Sequence, residues 1–423
     1  MSKTAIVFGG GGAKGAYQIG AVKALLKLKI KYDIITGCSV GSINGAIVAQ
    51  GDFDLGLKLW KTLSTDKILD LKEEETEINI KDAFENSGYD YTNLKNLLLK
   101  YIDEDKLRKS NIDYGLVTVK YPEMTPLYIF KEDMEKGKIV DYILGSSAFF
   151  PAMKPHKIGD NLYIDGGFSD NLPINMAIKK GADKIIAIDL KAVGMIKKPK
   201  GKDVKITRIS SYYDLGKILD FNKDQAKKNM KLGYNDTLKT FGKLDGFKFT
   251  FQKGDILKHS KKIAPKIDNM AEIMFENNKH LKNLFIKGIN FLYQNETKKD
   301  GKPSHKDISI FALESIMENL SLPYFETYKL KKAHFLINKK LKEYDISDLS
   351  NLKELLITFN LSGNIMDIIK KLKQAVDSFD KIKFIKFLSE NIDYLLEKNP
   401  KLLTFLGICT PKEFLCAVYI KYI

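Results

Sequence analysis

The run Gly37-Cys38-Ser39-Val40-Gly41 constrains this chain more than any other stretch. Before it stands Asp33-Ile34-Ile35-Thr36, a short apolar run that reads as a buried strand. After it, Ser42 to Ala49 is small and apolar and reads as the start of a helix. A serine flanked at both second neighbours by glycine, at a strand-to-helix turn, is the nucleophile-elbow pattern. In so tight a turn a side chain two positions either side of the serine would strike backbone, and glycine has none to strike. The serine is then held out at the top of a sheet, at a helix N-terminus, where developing negative charge is favoured. The same letters also describe an ordinary glycine-rich turn with a capping serine, so the reading depends on its company.

Thr4 to Phe8 reads as a first buried strand. Gly9-Gly10-Gly11-Gly12-Ala13-Lys14-Gly15 follows at once, and Ala16 to Lys29 is helical by period. A glycine loop that leads from a strand into a helix leaves backbone N–H groups free to hold an anion. Gly10-x-Gly12-x-x-Gly15 matches the dinucleotide fingerprint, but that fold wants an acidic residue at the end of the second strand. Here Asp33 stands at its start. Lys14 is followed by Gly15 rather than Ser or Thr, which also argues against a P-loop. The better reading is an oxyanion hole built from the N–H groups of Gly10, Gly11 and Gly12, on the same sheet edge as Ser39.

A third signal is Tyr163-Ile164-Asp165-Gly166-Gly167, where a short strand delivers a carboxylate into two glycines. A plain Asp-Gly hairpin turn would look the same. Between the signals, residues 52–110 read as helices around Trp60 and Asn93 to Tyr101, with a charged, exposed segment over Lys72 to Glu77, and could cap a site. Gly115 to Tyr121 and Leu127 to Lys131 read as a hairpin, and Phe149-Phe150-Pro151 as apolar wall. Lys184 to Leu190 is a strong buried strand, residues 191–205 a lysine- and glycine-rich loop, and helix resumes from Ser211. Beyond about residue 250 glycines thin out and helical periods dominate. Ile267 to Gln294 reads as one or two helices, followed by Ile308 to Leu320, Phe335 to Lys342, Leu349 to Phe359, Ile365 to Phe379 and Ile382 to Leu396. No motif and no clear repeat marks this region.

The 423 residues suffice for two domains, here 1–245 and 246–423. Cys38, Cys409 and Cys416 are too few for a disulfide framework, which fits a reducing compartment. The formal charge of +16 is carried almost entirely by lysine; Arg108 and Arg208 are the two arginines. Nucleic-acid readers favour arginine, so a nucleic-acid partner is not expected. Spread lysines fit loose attraction to an anionic membrane at least as well, and a plain solvated surface best of all. The N-terminus lacks the apolar run of a signal peptide, and no run is long enough to span a membrane. A cytoplasmic protein, at most peripheral to a membrane, is the expectation.

Taken together and in order, the loop Gly10 to Gly15 with its lysine, the elbow Gly37 to Gly41, and Asp165-Gly166-Gly167 resemble the patatin-like phospholipase family. Ser147-Ala148 to Pro151 and Asn171-Leu172-Pro173 look like that family around its aspartate. The resemblance covers about residues 3–240. It implies a three-layer α/β/α domain with a central, mostly parallel sheet, followed here by an all-helical region to which nothing transfers. It also implies a Ser39–Asp165 dyad acting on lipid acyl esters, with no metal or cofactor, and a basic loop residue at Lys14. On that reading Ser39 is the nucleophile and Asp165 its proton acceptor, in a phospholipase A or lysophospholipase-like hydrolase. A transferase or thioesterase on the same dyad, and a non-catalytic lipid- or partner-binding module, are the rivals. No histidine is needed: His156 precedes Asp165, and His259, His280, His305 and His334 lie in the helical region. Ser42 is expected to pack within its helix.

Overall fold

A computed structural model describes residues 2–69, 88–201, 203–276, 278–297, 300–349, 352 and 364–423. The charged segment over Lys72 to Glu77 lies outside the described residues, as does most of the helix read over Leu349 to Phe359. The chain divides into two compact units, 1–241 and 242–423, four residues earlier than the sequence suggests.

In the first unit, strands β1 (Lys3–Phe8), β2 (Ile34–Cys38), β3 (Asp113–Tyr121), β7 (Ala182–Ile188) and β8 (Lys205–Ile209) pair in parallel, in the order β3-β2-β1-β7-β8. The apolar runs of the central strands β1, β2 and β7 are near-continuous because helices cover both faces. On one face Ala5, Val7, Ile34, Ile185 and Ala187 pack with Ile174 and Ala177 of the short helix Ile174–Lys179. On the other, Phe8 and Ile35 meet the helix Val40–Ala49, brought close because Gly45 has no side chain. Helix Ala16–Lys27 packs lengthwise on helix Lys223–Thr240. There Gly20 and Gly233 sit directly against the backbones of Met230 and Tyr17. The expected three layers are present.

Three antiparallel strands complete the sheet: β4 (Thr125–Phe130), β5 (His156–Ile158) and β6 (Asn161–Asp165). Strand β4 occupies one edge of β3 over Gly115 to Lys120. Along the other edge, β2 pairs with the first half of β3, up to Cys38 opposite Val117. Strand β6 pairs with the second half in the opposite direction, its last residue Asp165 opposite Thr118. Two strands thus run toward one another along a shared rail, and their ends meet.

Two expectations change. Residues 211–222 carry no helix, which begins only at Lys223, capped by the Asn222 side chain on the N–H groups of Asp224 and Gln225. Lys205–Ile209, of which Lys205 closes the expected loop and the rest carries no expectation, is the edge strand β8.

The second unit is dominated by helices: Asp255–Phe275, Lys279–Thr297, His305–Asn319, Leu330–Leu341, Ile365–Asp377, Lys381–Lys398, Pro400–Cys409 and Pro411–Lys421. The run Ile267 to Gln294 falls across two helices. The last two helices each begin on proline, which suits a first turn because its missing N–H would have no partner there. This unit is not wholly helical. Leu244–Asp245, Thr250–Gln252 and Thr327–Tyr328 form a small sheet of strands too short to show a period. Beside it the buried Glu314 carboxylate accepts the N–H groups of Phe247, Lys248 and Phe249. No helix among the described residues is long and apolar enough to cross a membrane.

Candidate active site

Register places the glycine loop and the elbow side by side, because Phe8, the last residue of β1, pairs with Gly37 at the end of β2. A Cβ on Gly37 would clash with the Gly41 carbonyl, and one on Gly41 with the Phe8 carbonyl. Both glycines are therefore steric requirements of the turn. Ser39 itself adopts φ 53° and ψ −128°, a conformation that L-residues avoid. Its N–H donates to Ser146 Oγ at 3.0 Å, and that hydroxyl donates to the Val117 carbonyl at 2.7 Å. The strained residue is thus tied to the neighbouring strand. Ser42 Oγ returns to the Ser39 carbonyl at 2.6 Å, the packing role expected of it.

The meeting of β2 and β6 brings Asp165 to the elbow. Its Oδ1 accepts the Gly167 N–H at 2.7 Å and lies 3.6 Å from Cys38 Sγ. Burial pushes the Asp165 carboxyl up to about 6, against the pull of hydrogen bonds from Ser39, the Gly167 N–H and Cys38. The same burial, with the nearby Asp165 charge, pushes the Cys38 thiol well up, so Cys38 stays protonated. Gly166 lies flat against the Val117 carbonyl, where any Cβ would clash.

The glycine loop divides. Gly10 donates its N–H to the Asn171 carbonyl at 3.0 Å, so the expectation that it helps to hold an oxyanion is corrected. Gly11 and Gly12, at φ 155° and 52°, line the pocket, and their N–H groups have no partner among the described residues. Gly15 packs under Val40 and Trp60. Lys14 does not line the pocket; its ammonium faces the Asp214 carboxylate at 3.5 Å.

Two neighbouring residues are more deeply built into the fold than the sequence indicated. Asn171 threads between three loops: Cβ atoms on Gly10 or Gly194 would overlap its side chain, and Gly167 lies against its Oδ1. Its N–H donates to the Met195 carbonyl at 2.6 Å. Asp170 is buried with Oδ1 unpartnered among the described residues, and burial raises it too to about 6, with Lys197 and Tyr128 pulling the other way. No local spacing announces either role.

Around Ser39 and Asp165 lies a pocket of about 440 Å³, within the size range of small-molecule sites. Its wall is apolar, with Leu59, Trp60 and Leu94 from the 52–110 region, as a cap would supply, and Phe149 and Met153 from the segment after Ser147. Phe150 and Pro151, expected in that wall, do not line it. No histidine lines it either. His156 is held between the Tyr91 hydroxyl at 2.9 Å and Asp141 at 3.1 Å. Among the described residues no group of three or more His, Cys, Asp or Glu is placed to hold a metal ion.

Residues 6–178 match the family model described as patatin-like phospholipase. Patatin-like phospholipase domain-containing protein 7 of Rattus norvegicus is 30% identical over 196 residues, covering 44% of this chain and 13% of that protein. Lysophospholipase NTE1 of Candida albicans is 27% identical over 199 residues, again 44% of this chain and 13% of its own length. The chain therefore spans only a small part of the curated relatives it matches. Of solved structures, VipD from Legionella pneumophila aligns over 100% of this chain and 91% of its own, at 14% identity and a TM-score of 0.39. Residues 6–178 are thus similar to the patatin-like phospholipase family, the resemblance that the three motifs carry.

Proposed function

We propose that the protein is a serine lipid acyl hydrolase of the phospholipase A or lysophospholipase kind, with Ser39 as nucleophile and Asp165 as its only base. The observation that carries this is the strained, buried Ser39 facing a carboxyl raised to about 6, at the base of an apolar pocket. An ordinary aspartate near ~3.9 is too weak a base, and a group near neutrality is well matched to proton transfer. Asp165 takes the hydroxyl proton as Ser39 Oγ attacks the ester carbonyl. The N–H groups of Gly11 and Gly12 hold the resulting oxyanion. The tetrahedral species collapses to acyl-Ser39, and the Asp165 carboxyl returns its proton to the departing alkoxide. Water, deprotonated by Asp165, then releases the fatty acid, and Ser39 regains its proton. The apolar wall suits an acyl chain. The names of the relatives, a lysophospholipase among them, favour a glycerolipid ester as substrate.

Hydrolysis of a short p-nitrophenyl ester and of a labelled phospholipid, by the parent, Ser39→Ala and Asp165→Ala, tests this, with a fluorophosphonate probe reporting on the serine. Loss of both activities in both folded variants is expected. Full activity in Ser39→Ala, or a parent that neither turns over nor labels, would sink the proposal.

A further inference from the structure

The mouth of the pocket carries apolar side chains that nothing among the described residues covers. Val193 is 83% exposed, Met195 57%, Ile196 40% and Phe168 39%. Phe168, Val193 and Met195 belong to the pocket wall, and Ile196 follows directly in the chain. Phe168 comes from the turn that holds Asp165, and the other three from the loop 191–200. Single exposed apolar residues are common on any protein, but a cluster at a site entrance marks an interaction surface.

This loop is held in place. Met195 donates its N–H to the Gly167 carbonyl at 2.9 Å and accepts that of Asn171 at 2.6 Å. The Asn175 side chain bonds the Lys198 carbonyl at 2.9 Å and the Lys200 N–H at 2.8 Å. An apolar tip fixed in advance loses little freedom when it docks. Its flanks choose the partner: between Asp189 and Asp203 the chain has Lys191, Lys197, Lys198, Lys200 and Lys202 and no carboxylate. Lys197 lies over the Tyr128 ring, whereas Lys198 and Lys200 are exposed. An apolar tip ringed by lysines suits a bilayer with anionic headgroups, where side chains enter the acyl boundary and ammonium groups stay among the phosphates.

We infer that the 191–200 loop and Phe168 form a docking rim that seats the pocket mouth on an anionic phospholipid bilayer. The inference builds on the proposed function, since a lipid drawn from the bilayer would then reach Ser39 without crossing water.

Sedimentation with phosphatidylcholine vesicles, with and without phosphatidylglycerol, tests the rim on the full chain carrying Ser39→Ala, so that turnover does not alter the vesicles. The parent is expected to co-sediment preferentially with the phosphatidylglycerol vesicles. Val193→Ser combined with Met195→Ser should weaken partitioning by roughly tenfold or more. Lys198→Gln with Lys200→Gln should weaken it about fivefold per lysine at low salt, and not on neutral vesicles. In an otherwise intact active site, Ile196→Ser with the two lysine changes should leave short-ester hydrolysis unchanged while slowing vesicle hydrolysis. Vesicle binding equal in parent and rim variants, or absent from the parent, overturns the rim. So does a concentration-dependent dimer that the rim variants abolish, which would make a second copy the occupant. Failure of short-ester hydrolysis with vesicle binding intact counts against the dyad alone.

Discussion

The two units of this chain use glycine and buried polarity in opposite ways. In the first, glycines are dense and most touch something: Gly37 and Gly41 face carbonyls, Gly10 and Gly194 face Asn171, and Gly166 faces Val117. In the second they are sparse, and Gly242, Gly254 and Gly301 have open space where a side chain would stand. The buried carboxylates differ likewise. Glu314 accepts three backbone N–H groups, whereas burial raises Asp165, hydrogen bonds notwithstanding, and Asp170 to about 6. A buried carboxylate that ties down backbone N–H groups stabilises a fold; a carboxyl raised toward neutrality is ready to exchange a proton. The difference separates a region shaped by packing from one where the fold tolerates strain around a reactive group.

The largest test of that contrast is catalytic. Ser39→Ala and Asp165→Ala should each lower kcat/KM on a soluble ester by about a thousandfold or more. Met274→Ala, in the core of the helical unit, should cost roughly 2–5 kcal/mol of stability and leave the chemical step alone. Equal kinetic losses at the two places would break the comparison.

Glycine replacement gives opposite signs. Gly37→Ala should destabilise by about 3 kcal/mol or more, because its new methyl group meets the Gly41 carbonyl. Gly288→Ala, inside helix Lys279–Thr297 with room around it, should stabilise by roughly 0.5–1 kcal/mol. Thermal unfolding of the two variants reads both.

Titration comes next in size. With Asp165 near 6, kcat/KM should fall as pH drops through about 6, where the base becomes protonated. Its raised folded-state value also means that the neutral form contributes stability at pH below about 3.8, and that this is lost as pH rises through about 6. Asp165→Asn, which cannot ionise, should therefore be more stable than the parent at pH 8, by about 1–3 kcal/mol, and gain nothing at pH 3. An equal gain at both values would place the effect in packing. Ser39→Gly should abolish hydrolysis yet raise stability by about 1 kcal/mol by releasing the strained backbone.

The elbow and the Asp165 turn were legible because their constraints are local: Gly37, Gly41 and Gly166 each answer a clash within a few residues or one strand away. Asn171 was not, since Gly10, Gly167 and Gly194 approach it from distant parts of the chain. Gly10 was assigned as a donor to the oxyanion because a glycine loop shows which N–H groups exist, and only the fold shows which are taken. The helix expected from Ser211 failed where tertiary bonds overrode propensity: Ile218 gives its carbonyl to the Ala13 N–H, and Asn229 reaches the Leu215 carbonyl. The two- and three-residue strands of the helical unit are shorter than any period can register.

The two strands that end face to face along β3 bear on tolerance in the machinist's sense. When two parts are located from separate references their errors add, and when both are located from one reference they cancel. Cys38 and Asp165 are indexed on adjacent residues of one strand, Val117 and Thr118. Of the long stretch that separates them in sequence, only β3 itself and the Ser146–Ala148 segment, which bonds Ser39 and Asp165, enter the measurement. Loops within it can grow, shrink or change composition while the serine and the carboxylate keep their spacing. Slipping β6 by a single residue would turn Asp165 to the opposite face of the sheet and leave Ser39 without its proposed base. The pair is thus insensitive to what happens in its loops and unforgiving of a change in one ladder.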